Sequence, residues 1–130
     1  MEFRKISIVL LALLLAAMVM VPMVSAHADD IYIQSFARSD SSSEHLFGGR
    51  GDYNHGGYLY DWVVKVELKD ASSNVIQTEW GYCSSGNDCS TGYRPVTSYI
   101  PPGEYDVVTT AWATGVNARS GVYHVTFPFL

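Results

Sequence analysis

The sequence predicts an all-β protein: an antiparallel β-sandwich of six to seven strands, preceded by an N-terminal signal helix. Three observations carry this expectation. Apolar and polar residues alternate with period two over the last hundred residues. Helical periodicity is absent there. Turn-forming clusters of Gly, Pro, Asn, Asp and Ser interrupt the alternation at short intervals. A chain of 130 residues suits one such domain. With 48% hydrophobic and 16% charged residues it is too apolar for a disordered chain. A formal charge of −5 argues against a nucleic-acid binder.

The first element is an export signal over residues 1–28. Arg4 and Lys5 form a positive start, Val9 to Val21 carry no polar side chain, and Pro22 leads to Val24-Ser25-Ala26-His27-Ala28. That order is the plan of a secretory signal peptide. Cleavage after Ala26 releases a chain beginning at His27; cleavage after Ala28 releases one beginning at Asp29. An uncleaved anchor is the rival, since about 20 apolar residues cross a bilayer. Residues 29–130 form the domain. Removing 1–28 takes away Glu2, Arg4 and Lys5, so the remainder carries −6. The expected location is secreted, extracellular or at the cell surface, with no membrane contact after cleavage.

The strands follow in order. Asp30 to Ala37 places Ile31, Ile33 and Ala37 on one face. Tyr58 to Lys69 is the clearest segment: Tyr58, Tyr60, Trp62, Val64, Val66 and Leu68 point one way, and Asp61, Lys65, Glu67 and Lys69 the other. Asp70-Ala71-Ser72-Ser73-Asn74 is a turn. Val75 to Tyr82 sets Ile76, Trp80 and Tyr82 against Gln77 and Glu79. Tyr93 to Ile100 reads as an edge or bulged strand because of Pro95. Pro101-Pro102-Gly103 turns into Glu104 to Ala113, rich in β-formers. Gly115 to Gly121 is a loop, and Val122 to Phe129 closes the chain. Ser39 to Gly57, rich in serine and glycine, reads as a long mobile loop.

Cys83 and Cys89 are the only cysteines. An even count in an exported chain favours a disulfide. The residues between them are turn formers, so the bridge should pin the tip of a hairpin, contributing about 2 kcal/mol through so short a loop. A redox role lacks the Cys-x-x-Cys spacing and an adjacent cation.

Pro102-Gly103-Glu104-Tyr105-Asp106-Val107, then Ser120-Gly121-Val122-Tyr123 and Phe127, resemble the last two strands of exported immunoglobulin-like domains. The resemblance covers about a quarter of the chain and implies an immunoglobulin-like sandwich without a particular function. The same Pro-Gly-x-Tyr strand, with a mature chain starting at a histidine, is similar to the small CopC-like copper-resistance domains. Lytic polysaccharide monooxygenases likewise place an N-terminal histidine on such a sandwich. The resemblance implies copper held by the amine and imidazole of His27. The CopC-like loop before the last strand supplies an Asp and a His. Here that loop is Gly115-Val116-Asn117-Ala118-Arg119 and has neither. A second ligand must come from His45, His55 or His124.

Other constellations set the remaining expectations. His45 and His55 share one polar loop with Glu44 and Asp52, without a tight metal-ligand spacing. His124 reads as a surface histidine. Arg50-Gly51-Asp52 matches an integrin-binding tripeptide, a three-residue pattern of little specificity. Trp80, Tyr82 and Tyr93 flank the cysteine loop and offer rings on which sugars stack. No Gly-x-Ser-x-Gly, His-Glu-x-x-His or catalytic cysteine occurs, so no enzyme is expected. The leading expectation is a non-catalytic binding or structural domain with no cofactor, whose partner is an extracellular protein or a glycan. Edge strands at Asp30–Ala37 or Tyr93–Ile100 offer a route to self-association. Copper binding through His27, and a carbohydrate-binding module using Trp80, Tyr82 and Tyr93, are the alternatives.

Overall fold

The computed structural model describes residues 31–41, 43–53 and 57–128. The expected signal segment lies outside them. Eight strands occur in chain order: β1 (Tyr32–Ser39), β2 (His45–Asp52), β3 (Leu59–Asp70), β4 (Val75–Gly86), β5 (Asp88–Ser90), β6 (Arg94–Pro95), β7 (Gly103–Trp112) and β8 (Arg119–Phe127). They form two antiparallel sheets. The first runs β1-β2-β5, with β6 also on β2; the second runs β4-β3-β7-β8. The expected all-β, immunoglobulin-like sandwich is what forms, with eight strands instead of six to seven because β2 and the three-residue β5 add to those read from the sequence.

The inward faces follow the alternation. Trp62, Val64, Val66 and Leu68 of β3 and Tyr105, Val107, Thr109 and Ala111 of β7 are all buried. They meet Ile31 at one end of the sandwich and Phe47 at the other. Between these two apolar clusters the packing is tight and polar. Thr109 is wholly buried, and its hydroxyl lies 2.7 Å from that of Ser35. A Cβ on Gly49 would stand 2.1 Å from Thr109 Oγ1, so only glycine lets β2 approach β7 this closely.

Three expectations need correction. First, Ser39 to Gly57 is not one long loop, because β2 occupies its middle as the central strand of the first sheet. Its glycines carry no side chains, so the strand shows no alternation in sequence. Second, Tyr58 and Tyr60 do not join the buried face of β3. Asp61 takes φ of 55°, in the left-handed region, and the alternation changes phase there. Leu59 is buried, while Tyr58 and Tyr60 are exposed. Third, Tyr93 to Ile100 yields only the two-residue β6. Pro95 has no N–H to extend the ladder.

Cys83 and Cys89 are joined, with Cα atoms 5.9 Å apart. The bridge does not pin a hairpin tip. β4 ends in the second sheet and β5 begins in the first after the single residue Asn87. The disulfide therefore fastens one sheet to the other where the chain crosses between them. The Trp62 indole N–H supports the same corner, donating to Gly86 O at 3.0 Å.

The 94–97 segment lies against part of the outer edge of β4. Arg94 pairs with Glu79 at 2.8 Å and donates to Trp80 O at 2.9 Å. The Gln77 amide donates to Pro95 O at 2.9 Å and accepts from Thr97 N–H at 2.9 Å. These contacts take up one backbone group of the β4 edge, the Trp80 carbonyl, and anchor the 94–97 segment beside it.

Candidate functional site

Strand register decides which side chains share the outer face of the second sheet. Tyr82 lies beside Val63, which lies beside Trp112. One row further, Trp80, Lys65, Thr110 and Ser120 are neighbours. Trp80 and Tyr82 are two residues apart on β4, so they point the same way. Their rings are parallel within 8°, with centroids 6.5 Å apart. Tyr82 is 72% exposed, Trp80 42% and Trp112 37%.

Lys65 stands between the two tryptophans, its ammonium 5.9 Å from the Trp80 ring and 6.0 Å from the Trp112 ring. Glu67 lies 3.8 Å from that ammonium. A shallow groove of about 360 Å³ opens at the Tyr82 end, lined by Asp61, Trp62, Val63, Tyr82, Cys83 and Ser84. The Asp61 carboxylate accepts a hydrogen bond from the Thr114 hydroxyl at 3.3 Å. Residues held in sparsely populated backbone regions cost free energy, and they cluster at binding sites. Asp61 is such a residue, beside the most exposed ring of the strip. Flat aromatic faces bordered by an ammonium, a carboxylate and hydroxyls suit a ligand with both apolar faces and a polar rim.

The structure brings together two of the three aromatic residues singled out in the sequence. Tyr93 lies elsewhere, over the first sheet, its ring 4.7 Å from Phe36 and 4.4 Å beneath the Arg38 guanidinium. The chain has already crossed between sheets at Asn87, and this carries Tyr93 away from Trp80 and Tyr82. Trp112 takes the third position instead. Its signal was the even-numbered phase of β7, and it pointed to this strip only once β7 was known to pair with β3.

The histidines are dispersed. His45 is buried, its Nδ1 2.7 Å from Ser39 Oγ and its ring stacked on Phe127 at 4.5 Å. His124 is exposed on β8 and bonded to Asp106. His27 and His55 lie outside the described residues. Among the described residues, no group of three or more His, Cys, Asp or Glu side chains is placed to hold a metal. Arg50-Gly51-Asp52 is part of strand β2, with Arg50 bonded to Asp88 at 2.7 Å and 3.6 Å from Asp52.

No family model matches the chain, and no curated protein matches it. Among solved structures, CopC from Methylosinus trichosporium OB3b is similar at 11% identity, over 75% of this chain and 92% of that chain, with a TM-score of 0.43. The likeness is weak and is one of fold.

Proposed function

We propose that the protein is an exported, non-catalytic binding domain that takes carbohydrate rings on its aromatic strip. The observation that carries this reading is the parallel, outward-facing pair Trp80 and Tyr82 with Trp112 beside it. Large aromatic side chains gain most by burial, so three exposed together on one sheet face call for a partner surface. Pyranose rings present apolar C–H faces to stack on such rings and hydroxyls around the rim. Lys65, Asp61 and the paired hydroxyls of Thr110 and Ser120, 2.8 Å apart, are positioned to meet that rim. The signal-like start supports export, and the lack of hydrolase motifs supports binding without turnover.

The test is retention of the exported protein on insoluble polysaccharides, with cellulose, chitin and xylan as the probes. Retention on one of them should fall at least tenfold in Trp80→Ala and in Tyr82→Ala, with both variants still folded and unfolding cooperatively. No retention on any of the three, or retention untouched in the double variant, overturns the reading. Copper at His27 requires instead a chain that begins at that residue. The native mass of the exported protein distinguishes the two.

A further inference from the structure

The two edges of the second sheet are unequal. β4 is flanked along residues 77–80 by Arg94, Pro95 and Thr97, with Arg94 on the Trp80 carbonyl, whereas β8 ends the sheet as nine residues paired only to β7. Exposed edges in stable monomers carry guards: proline, charged side chains, a bulge, brevity, or a covering segment. Along β8 only the first residues are guarded, by the charge of Arg119 and by Ile33 of β1 against Gly121. The strand contains no proline and no lysine, and its register with β7 runs unbroken from Gly103↔Phe127 to Ala111↔Arg119. Its middle residues Val122 and Tyr123 are 56% and 43% exposed.

We infer that β8 pairs antiparallel with β8 of a second copy of this chain, joining two four-stranded sheets into one. The occupant follows from the strand itself. The pattern of N–H and C=O groups along an antiparallel edge is complementary to its own copy. In the full-length register, centred on Tyr123, Arg119 faces Phe127 of the second copy. Arg119 is the only Lys, Arg, Asp or Glu of the strand, and its own copy then lies about 27 Å away at 3.4 Å per residue. No like charges meet. Val122 faces His124 of the second copy, and Tyr123 faces Tyr123. A ladder of this length supplies about nine hydrogen bonds, against about ten in a standard protein interface.

The pairing has a consequence for the aromatic strip. The two-fold axis stands perpendicular to the joined sheet, so both outer faces look the same way. β4 is the third strand from β8, which sets the two Trp80–Tyr82 pairs seven strand spacings apart, about 34 Å, with the two Trp112 residues of β7 between them. A polymer could then engage both strips at once, and avidity would follow from effective concentration.

Sedimentation equilibrium of the exported protein over a concentration series tests the pairing without any ligand. A reversible dimer is expected. Val122→Lys and Tyr123→Lys should each raise its dissociation constant at least tenfold while the far-ultraviolet spectrum stays unchanged. Amide exchange supplies an independent reading: β8 amides should gain protection as concentration rises. A monomer at every concentration overturns the inference. So does a dimer indifferent to both lysine variants, or one broken by Trp80→Ala instead. None of these outcomes depends on whether the ligand is a carbohydrate.

Discussion

The outer faces of the two sheets have similar raw materials and use them differently. On the first sheet, Arg50 is bonded to Asp88, Arg38 pairs with Asp40 at 2.9 Å, and the Arg38 guanidinium and the Phe36 ring both pack against Tyr93. Aromatic and charged groups there satisfy one another within the protein. On the second sheet, Trp80, Tyr82 and Trp112 stand outward, with Lys65 the nearest cation. On the first face the Tyr93 ring has partners on both sides, Phe36 and Arg38, within the protein, at the same 42% exposure as Trp80. The other leaves its aromatic surface for something outside the fold. An aromatic residue's exposure therefore says less about function than whether its neighbours already use its faces.

Substitutions that break the closed face should cost most. Gly48→Ala places a Cβ 2.2 Å from Gly92 O and 2.4 Å from Phe36 Cε1, and should destabilise by about 3 kcal/mol in urea unfolding. Phe36→Ala, which empties the half-buried position over Gly48, should cost about 2 kcal/mol by the same measurement. Arg50→Ala removes a pair that is more than a third exposed and should cost less than about 1 kcal/mol. Trp112→Ala sharpens the contrast. Because the ring is 37% exposed, stability should fall by about 1 kcal/mol, less than for Phe36→Ala, while polysaccharide retention falls. A large loss of stability there would erase the distinction between the two faces.

The smallest effect is expected at the β3–β4 turn. The Asp70 carboxyl is held below its usual 3.8, chiefly by the Asn74 N–H, with Asn74's amide and the Ser72 N–H assisting. A lowered folded-state pKa contributes stability that is present above 3.8 and is lost as pH falls through the lowered value. The stability difference between wild type and Asp70→Asn should therefore shrink below pH 4. A constant difference down to pH 2 would detach the turn from the acid response. Tyr105 shifts the other way. Burial, then the Asp70 charge, push its phenol upward, and its hydroxyl donates to Pro101 O.

Legibility in the sequence tracked side-chain period. The run from Trp62 to Leu68 announced both a strand and its buried face, because alternation of four large residues has one geometric meaning. β2 was illegible for the converse reason: Gly48, Gly49 and Gly51 have no side chains to alternate, and their closeness to Phe36, Thr109 and Ala111 respectively is a fact of tertiary packing. At Asp61 the period was present and misleading, since a single left-handed residue reverses the face without altering composition. The strip was half legible. Trp80 and Tyr82 share a strand, but Trp112 joins them only through the pairing of β3 with β7. Local pattern reports what lies along a strand; what lies across strands needs the register.

The ends of the described sandwich also bear on how it responds to force. Ile33 of β1 lies beside Gly121, near the start of β8, and Ala37 further along β1 packs in the cluster that holds Phe127 at the end of β8. The first and last strands therefore run in the same direction. A pull between residues 31 and 127 acts along both strands, not across them. The β1–β2 and β7–β8 ladders must then yield by sliding, many bonds at once, instead of peeling open one pair at a time. Such an arrangement resists force along the strands, and the Cys83–Cys89 bridge keeps the two sheets attached even after a ladder has given way.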